Sequence, residues 1–288
     1  SEGGSVVSSC NTVGGACSVV WTSQAPRPSN GRATVLARAT GEEAFTDLNG
    51  NGTVDDASEM VDVNGASTDK GEAFVDYDED GVRDANEPFF DFNGKNGVDA
   101  AGDGFYNGVL CKLGAAICGP ADTAKSIDVR AGQVIVFSSS SANITINGGA
   151  TIALTPCSLV NGNVTSSFTA TVVDVNGNAM PAGTTIAFSS DNGTITSSAS
   201  HVVPDTTGCR IGNNPAGVAY NCPLSAGSAT FGDISVSMKS NATFTAADPA
   251  AVPPTAATCK DTGNSGSFTV TVTSPKGIVT TGSATVTD

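Results

Sequence analysis

Eight carboxylates crowd the twenty residues from Glu72 to Asp91, EAFVDYDEDGVRDANEPFFD. Charges of one sign held that close need a counter-ion, and the spacing names one. DYDEDGVRDANE, residues 76–87, matches D-x-[DN]-x-[DN]-G-x5-E at every specified position. A hard calcium ion takes about six to eight oxygens at roughly 2.3–2.6 Å, and such a loop supplies them from alternate side chains, one carbonyl and a closing bidentate carboxylate. The spacing therefore predicts Asp76, Asp78 and Asp80 as side-chain ligands and Gly81 as the sharp turn. The carbonyl of Val82, Asp84 directly or through water, and Glu87 complete the set.

DLNGNGTVDDASE, residues 47–59, is the same motif with one extra residue before the closing acid. Asp47, Asn49, Asn51, Thr53, Asp55 and Glu59 are its candidate ligands. A third stretch, DFNGKNGVDAAGD, opens with Asp91 and Asn93 but puts Lys95 where an oxygen belongs; Asn96, Asp99 or Asp103 would have to contribute after a bulge. The expectation is two or three calcium ions. One phrase, Glu-x-Phe-x-Asp, precedes each loop at 43–47, 72–76 and 87–91. Its phenylalanines, Phe45, Phe74 and Phe89, either pack together beneath the sites or serve as ordinary strand residues. The flanks are short and interrupted by proline, so the loops lack the paired helices of signalling calcium sensors. They resemble the helix-free loops of thrombospondin type 3 repeats, which implies a structural role. Such a segment is disordered by self-repulsion without the ion and compact with it.

The remaining sequence sets the compartment and the scaffold. Residues 41–104 carry 18 of the 28 acids but only Lys70, Arg83 and Lys95. The rest is balanced, so the net charge of −15 is local and no basic face exists for nucleic acid or anionic lipid. Of eight cysteines, Cys10/Cys17, Cys111/Cys118 and Cys209/Cys222 are close enough for loop staples, leaving Cys157 and Cys259 to join distant strands. With one histidine and no C-x-x-C spacing, disulfides in an oxidising, extracytoplasmic compartment are expected rather than zinc. No run is long and apolar enough for a membrane span, and the first residues do not read as a signal peptide, so a mature piece or part of a longer chain is expected.

The fold class expected is all-β. Period-two runs at 151–156, 167–177, 184–196, 228–238, 267–275 and 282–288, punctuated by Asn-Gly and Pro-Gly, predict antiparallel strands of a sandwich. FTATVVDVNGNAMPAGTTIAFSSDNGTIT, residues 168–196, resembles the bacterial Ig-like repeats of the invasin and intimin class, with Asp174, Asn176, Gly177, Pro181, Gly183, Ser190 and Gly193 in the motif positions. The resemblance covers about 149–288 and departs from the pattern in a cysteine-bearing insertion from about 200 to 225. The N-terminal half, with strands around Trp21 and Arg32 and a closing strand at 126–140, resembles a repeat of large bacterial surface proteins. It is short of strands for a complete sandwich, so it either begins inside an array or borrows a strand from a neighbour. The domain reading is an Ig-like domain at 1–145, possibly partial, with the calcium insertion at about 41–108, and a second at 146–288.

No catalytic constellation accompanies this scaffold. His201 has no neighbouring nucleophile motif, the carboxylates fall into ligand spacing rather than an acid-base pair, and the glycines lack a phosphate-loop setting. A non-enzymatic module of a bacterial cell surface is expected, structural or adhesive, whose partners are neighbouring Ig-like repeats or protomers and a possible cell-surface or matrix ligand. The alternative is a subunit of an extracellular filament assembled by strand donation with calcium at the junction. A carbohydrate-binding module would need an aromatic platform, for which Trp21, Tyr77, Tyr106 and Tyr220 are too few and too scattered.

Overall fold

A computed structural model describes all residues except 93, 95–101, 122, 160–161, 206–231, 252 and 261–262. The chain is all-β: among the described residues the only helical pieces are 3-10 turns, including Ala57–Glu59 and Ala116–Cys118. The described residues form two compact units that divide between Ile135 and Val136. The sequence pattern places the boundary at 145/146. It lies earlier because Ala142 and Ile144, on a strand too short to stand out by pattern, pack in the second core.

The first unit is built from pairs of strands. β1 (Ser5–Val6) pairs with β2 (Trp21–Thr22), β3 (Arg32–Gly41) with β6 (Ile127–Val136), and β4 (Ala73–Phe74) with β5 (Phe89–Phe90). Two-stranded sheets bury little by themselves. The loops therefore carry their own core, in which Val54, Met60, Tyr106 and Ile117 are buried with Phe45 and the Cys111–Cys118 disulfide against them. Phe45 meets the Tyr106 ring edge-on at 5.6 Å. Phe74 instead faces Phe89 across β4 and β5, so the three phenylalanines are divided between two places. Trp21 is half-buried; its indole N–H donates to the carbonyl of Gly3 at 3.1 Å.

The second unit is a sandwich. One sheet has the order β12 (Ser200–Val202), β10 (Thr185–Ser190), β16 (Ser265–Thr273), β17 (Val279–Thr287) and β8 (Ile152–Ala153). The other runs β11 (Thr194–Ile195), β13 (Asp233–Lys239), β9 (Thr165–Asp174) and β7 (Ala142–Ile146). A small hairpin joins β14 (Thr243–Thr245) to β15 (Thr258–Lys260). Alternation places Phe168, Ala170 and Val172 of β9 and Phe268, Val270 and Val272 of β16 in one core, and the rings of Phe168 and Phe268 meet edge-on at 5.0 Å.

The turn after β9 shows why its residue types are needed. Asp174, fully buried, accepts from the backbone N–H groups of Asn176 (2.9 Å), Asn178 (2.8 Å) and Ser139 (2.9 Å). Gly193 has φ +75°, and a β-carbon there would lie 2.5 Å from Leu154 Cδ1.

Disulfides join Cys10–Cys17, Cys111–Cys118 and Cys157–Cys259. Cys209 and Cys222 lie outside the described residues. No helix among the described residues is long and apolar enough to cross a membrane. Three disulfides are consistent with a secreted or extracellular protein.

Candidate metal centre

Asp76, Asp78 and Asp80 each offer a carboxylate oxygen within 4.8 Å of the others. The loop is wound around them by its own amides. Asp76 accepts from Glu79 N at 2.6 Å and Gly81 N at 2.9 Å, and Asp80 accepts from Val82 N at 2.7 Å. The fourth and sixth residues, Glu79 and Gly81, are left-handed at φ +65° and +78°, which reverses the chain tightly enough to turn three alternate side chains inward.

Glu87, 2% exposed, closes the loop by accepting from Tyr77 N at 2.5 Å and Asp84 N at 2.8 Å. Each of its two oxygens is thereby fixed by a backbone N–H, although Glu87 does not join the three aspartates within 4.8 Å. Burial raises the Asp76 carboxyl above its ordinary value; N–H donation from Gly81 and Glu79 opposes this, and the Glu87 and Asp78 charges add to it. Asp78 is raised too, by desolvation first and by Asp80 next. Its Oδ1 is shut off from solvent and accepts no hydrogen bond. A carboxylate oxygen so placed fits a cation ligand, since an unsatisfied one costs about 1–3 kcal/mol.

The loop is fastened to the strands from outside its ligand set. Glu79 pairs with both Nε and Nη2 of Arg32 at 2.5 and 2.7 Å, and Arg32 is 1% exposed. Arg83 lies over the Phe89 ring at 4.8 Å and donates to the carbonyl of Glu87.

Loop 47–59 repeats the construction. Asp47 accepts from Gly50 N (2.7 Å), Asn51 N (3.1 Å) and Gly52 N (2.8 Å), and Asn51 Oδ1 accepts from Thr53 N (2.7 Å). The backbone bonds to Asp47, led by that from Gly52, hold its carboxyl below its ordinary value. Glu59 is buried and accepts from Leu48 N at 3.2 Å and Asp55 N at 3.0 Å, the same second and ninth positions that hold Glu87. The extra residue is taken up by the 3-10 turn Ala57–Glu59, capped by Asp56, so the closing carboxylate reaches its place despite the longer spacing. Asp55 differs from its counterpart Asp84: it bonds the amides of Asn49 and Asn51 and pairs with Lys112 Nζ at 2.9 Å. Lys112 is the main cause of its lowered pKa.

In the third stretch Asp91 Oδ1 accepts from Gly94 N, while Asn93, Asn96 and Asp99 lie outside the described residues. Asp103 accepts from Phe105 N at 3.0 Å and from Asn107 Nδ2 at 3.4 Å. Three acids that no loop motif selected sit in the same unit: Glu43 and Glu72, both buried, and Asp69. Repeated short fragments, not a full-length motif, were the signal available for two of them.

No protein-family model matches the chain, and no curated protein matches it.

Proposed function

We propose that this chain is an extracellular, calcium-stabilised structural or adhesive Ig-like module of a bacterial cell-surface protein, and that it is not an enzyme. The observation that carries this reading is the shared construction of loops 47–59 and 76–87. Different sequences and different lengths arrive at one arrangement, in which the closing glutamate is pinned by the amides of the second and ninth residues. In this reading Asp76, Asp78, Asp80, the Val82 carbonyl, Asp84 and Glu87 hold one ion, and Asp47, Asn49, Asn51, the Thr53 carbonyl, Asp55 and Glu59 hold another. The ion neutralises acids that otherwise repel and fixes a unit whose strands, among the described residues, pair only two by two. Extracellular calcium near millimolar fills sites as weak as ~10⁻⁴ M, each adding ~1.4 kcal/mol at ten times its Kd. The Ig-like sandwich of the second unit supplies the rigid neighbour that a surface stalk stacks.

A second reading, a filament subunit assembled by strand donation, is favoured by β3 and β6: two ten-residue strands whose sheet contains no third strand among the described residues. Native mass spectrometry of the whole chain with and without EDTA tests both. Monomers that lose two or more calcium ions on chelation support the stalk module, and oligomers that dissolve on chelation support the filament. A chain that binds no calcium refutes the calcium reading.

A further inference from the structure

The backbone bonds that define the two contiguous loops occur a third time, on residues far apart in the sequence. In loops 47–59 and 76–87 the first aspartate accepts from the N–H of the sixth residue, Gly52 or Gly81. The fifth accepts from the seventh, Thr53 or Val82, and the closing glutamate accepts from the second and the ninth. In the third set Asp69 accepts from Gly104 N at 3.0 Å, Asp103 from Phe105 N at 3.0 Å, and Glu43 from Lys70 N at 2.6 Å and Asn107 N at 2.9 Å.

The correspondence is positional. Asp69 and Lys70 are the first and second residues; Gly102 to Asn107 are the fourth to the ninth; Glu43 is the closing acid. The left-handed residues agree as well: Gly50, Glu79 and Gly102 at the fourth place (φ +74°, +65° and +90°), and Gly52, Gly81 and Gly104 at the sixth (φ +76°, +78° and +76°). The eighth residues, Val54 and Tyr106, share one buried cluster.

A second kind of observation points to a ligand. Asn107, at the ninth place, is fully buried. Its backbone N–H is committed to Glu43 and its side-chain amide N–H to Asp103 and to the carbonyl of Ala124, yet its Oδ1 has no hydrogen-bond partner. Asp69 Oδ1 is likewise shut off from solvent and unpartnered. Two buried acceptor oxygens without donors, beside two further carboxylates, fit the ligands of a cation.

We infer that Glu43, Asp69, Asp103 and Asn107 form a discontinuous site for a hard divalent cation of the calcium type, closed across 64 residues of sequence by Glu43 and Asn107. The inference rests on the proposed function only for the choice of ion. Loop 76–87 is then an insertion between the second and fourth places of this site, so that one ion site is built inside another.

The test is native mass spectrometry of the full chain carrying Glu59→Gln and Glu87→Gln, which remove the closing ligand of each contiguous loop, titrated with calcium chloride. Trp21 emission verifies that each variant is folded. One ion is expected to remain, to be lost on adding Asp69→Asn or Asp103→Asn, and to persist on adding Asp91→Asn. Asp103→Asn keeps an acceptor for Phe105 N and so guards against simple unfolding. A double variant that binds no calcium, or one whose ion survives both Asp69→Asn and Asp103→Asn or leaves with Asp91→Asn, overturns the inference. If parent and double variant each carry a single ion that Asp69→Asn removes, the discontinuous site stands and the contiguous-loop reading falls.

Discussion

Glu87→Gln separates the cation's contribution from that of the loop's own bonds. Without metal, the variant replaces one carboxylate oxygen by an amide NH2 that confronts an N–H donor, either Tyr77 or Asp84. Losing one charge-assisted bond costs about 1.5–3 kcal/mol. Relief of repulsion on Asp76 and Asp78, whose carboxyls the Glu87 charge pushes up, offsets part of that, so the net change in EDTA is small. With calcium the terms separate. A site of Kd ~10⁻⁴ M stabilises the folded chain by ~1.4 kcal/mol at ~1 mM and ~2.7 kcal/mol at ~10 mM, and an amide that cannot supply two oxygens forfeits most of this. For a unit of this size, ~2.7 kcal/mol corresponds to roughly 8–14 °C in Tm. Trp21, the only tryptophan, lies in the first unit, so its emission during a thermal scan reports that unit. The gap between parent and variant should widen by about 10 °C from EDTA to ~10 mM calcium. A variant that keeps the parent's full calcium-dependent gain would show that Glu87 is not a ligand.

The sign of the pH response should reverse with the ion. Glu43, Asp69, Asp76 and Asp78 have carboxyls raised above their ordinary values of 4.5 or 3.8, mainly by burial. Without metal each therefore contributes stability below its unfolded-state pKa that is lost as pH rises through the higher folded-state pKa. Acidifying from about pH 7 to about pH 5 in EDTA should raise the Tm reported by Trp21, whereas with calcium, which needs the ionised ligands, it should lower it; a fall under both conditions would contradict the burial assigned to these acids. Gly193→Ala should destabilise the second unit by about 1–3 kcal/mol, because the residue is left-handed and the added carbon meets Leu154 and the carbonyl of Lys239; an unchanged urea midpoint would show that the turn relaxes. Replacing Cys157 and Cys259 by serine opens a loop of about a hundred residues and should cost up to roughly 4–5 kcal/mol, read as a lower midpoint in the same unfolding experiment.

Most of the second unit was legible because its signal is local. Phe168, Ala170 and Val172, or Phe268, Val270 and Val272, announce a half-buried strand within about six residues, and a strand face needs nothing else to be recognised. β7 escaped because ANITI is short and lies against a serine run, so its place in the core depends on β9 beside it. The phenylalanines of the repeated phrase divide for a similar reason. Phe74 and Phe89 are set opposite each other by β4 and β5, but Phe45 is claimed by Tyr106, far along the chain, which no local pattern reveals.

The same contrast governs the proposed metal ligands. Loop 76–87 could be read directly because all its oxygens fall within twelve residues. Loop 47–59 could be read with one residue of slack, which a 3-10 turn absorbs. The Glu43 set could not be, since its second and fourth places, Lys70 and Gly102, are separated by an entire other loop. Yet a fragment of it is written in the chain three times: Asn51-Gly-Thr-Val-Asp55, Asp80-Gly-Val-Arg-Asp84 and Asp103-Gly-Phe-Tyr-Asn107. Five residues fix a left-handed glycine between an acceptor side chain and a carbonyl, with a further oxygen three residues beyond the glycine. The half from the fifth to the ninth place is thus locally encoded, with its own fifth-to-seventh hydrogen bond, while in the proposed third site the first aspartate and the closing glutamate come from elsewhere in the chain. Glu43, two residues past the end of β3, and Asp69, a few residues before β4, are placed by the scaffold, which is why that half of the site carries no periodicity for a sequence to show.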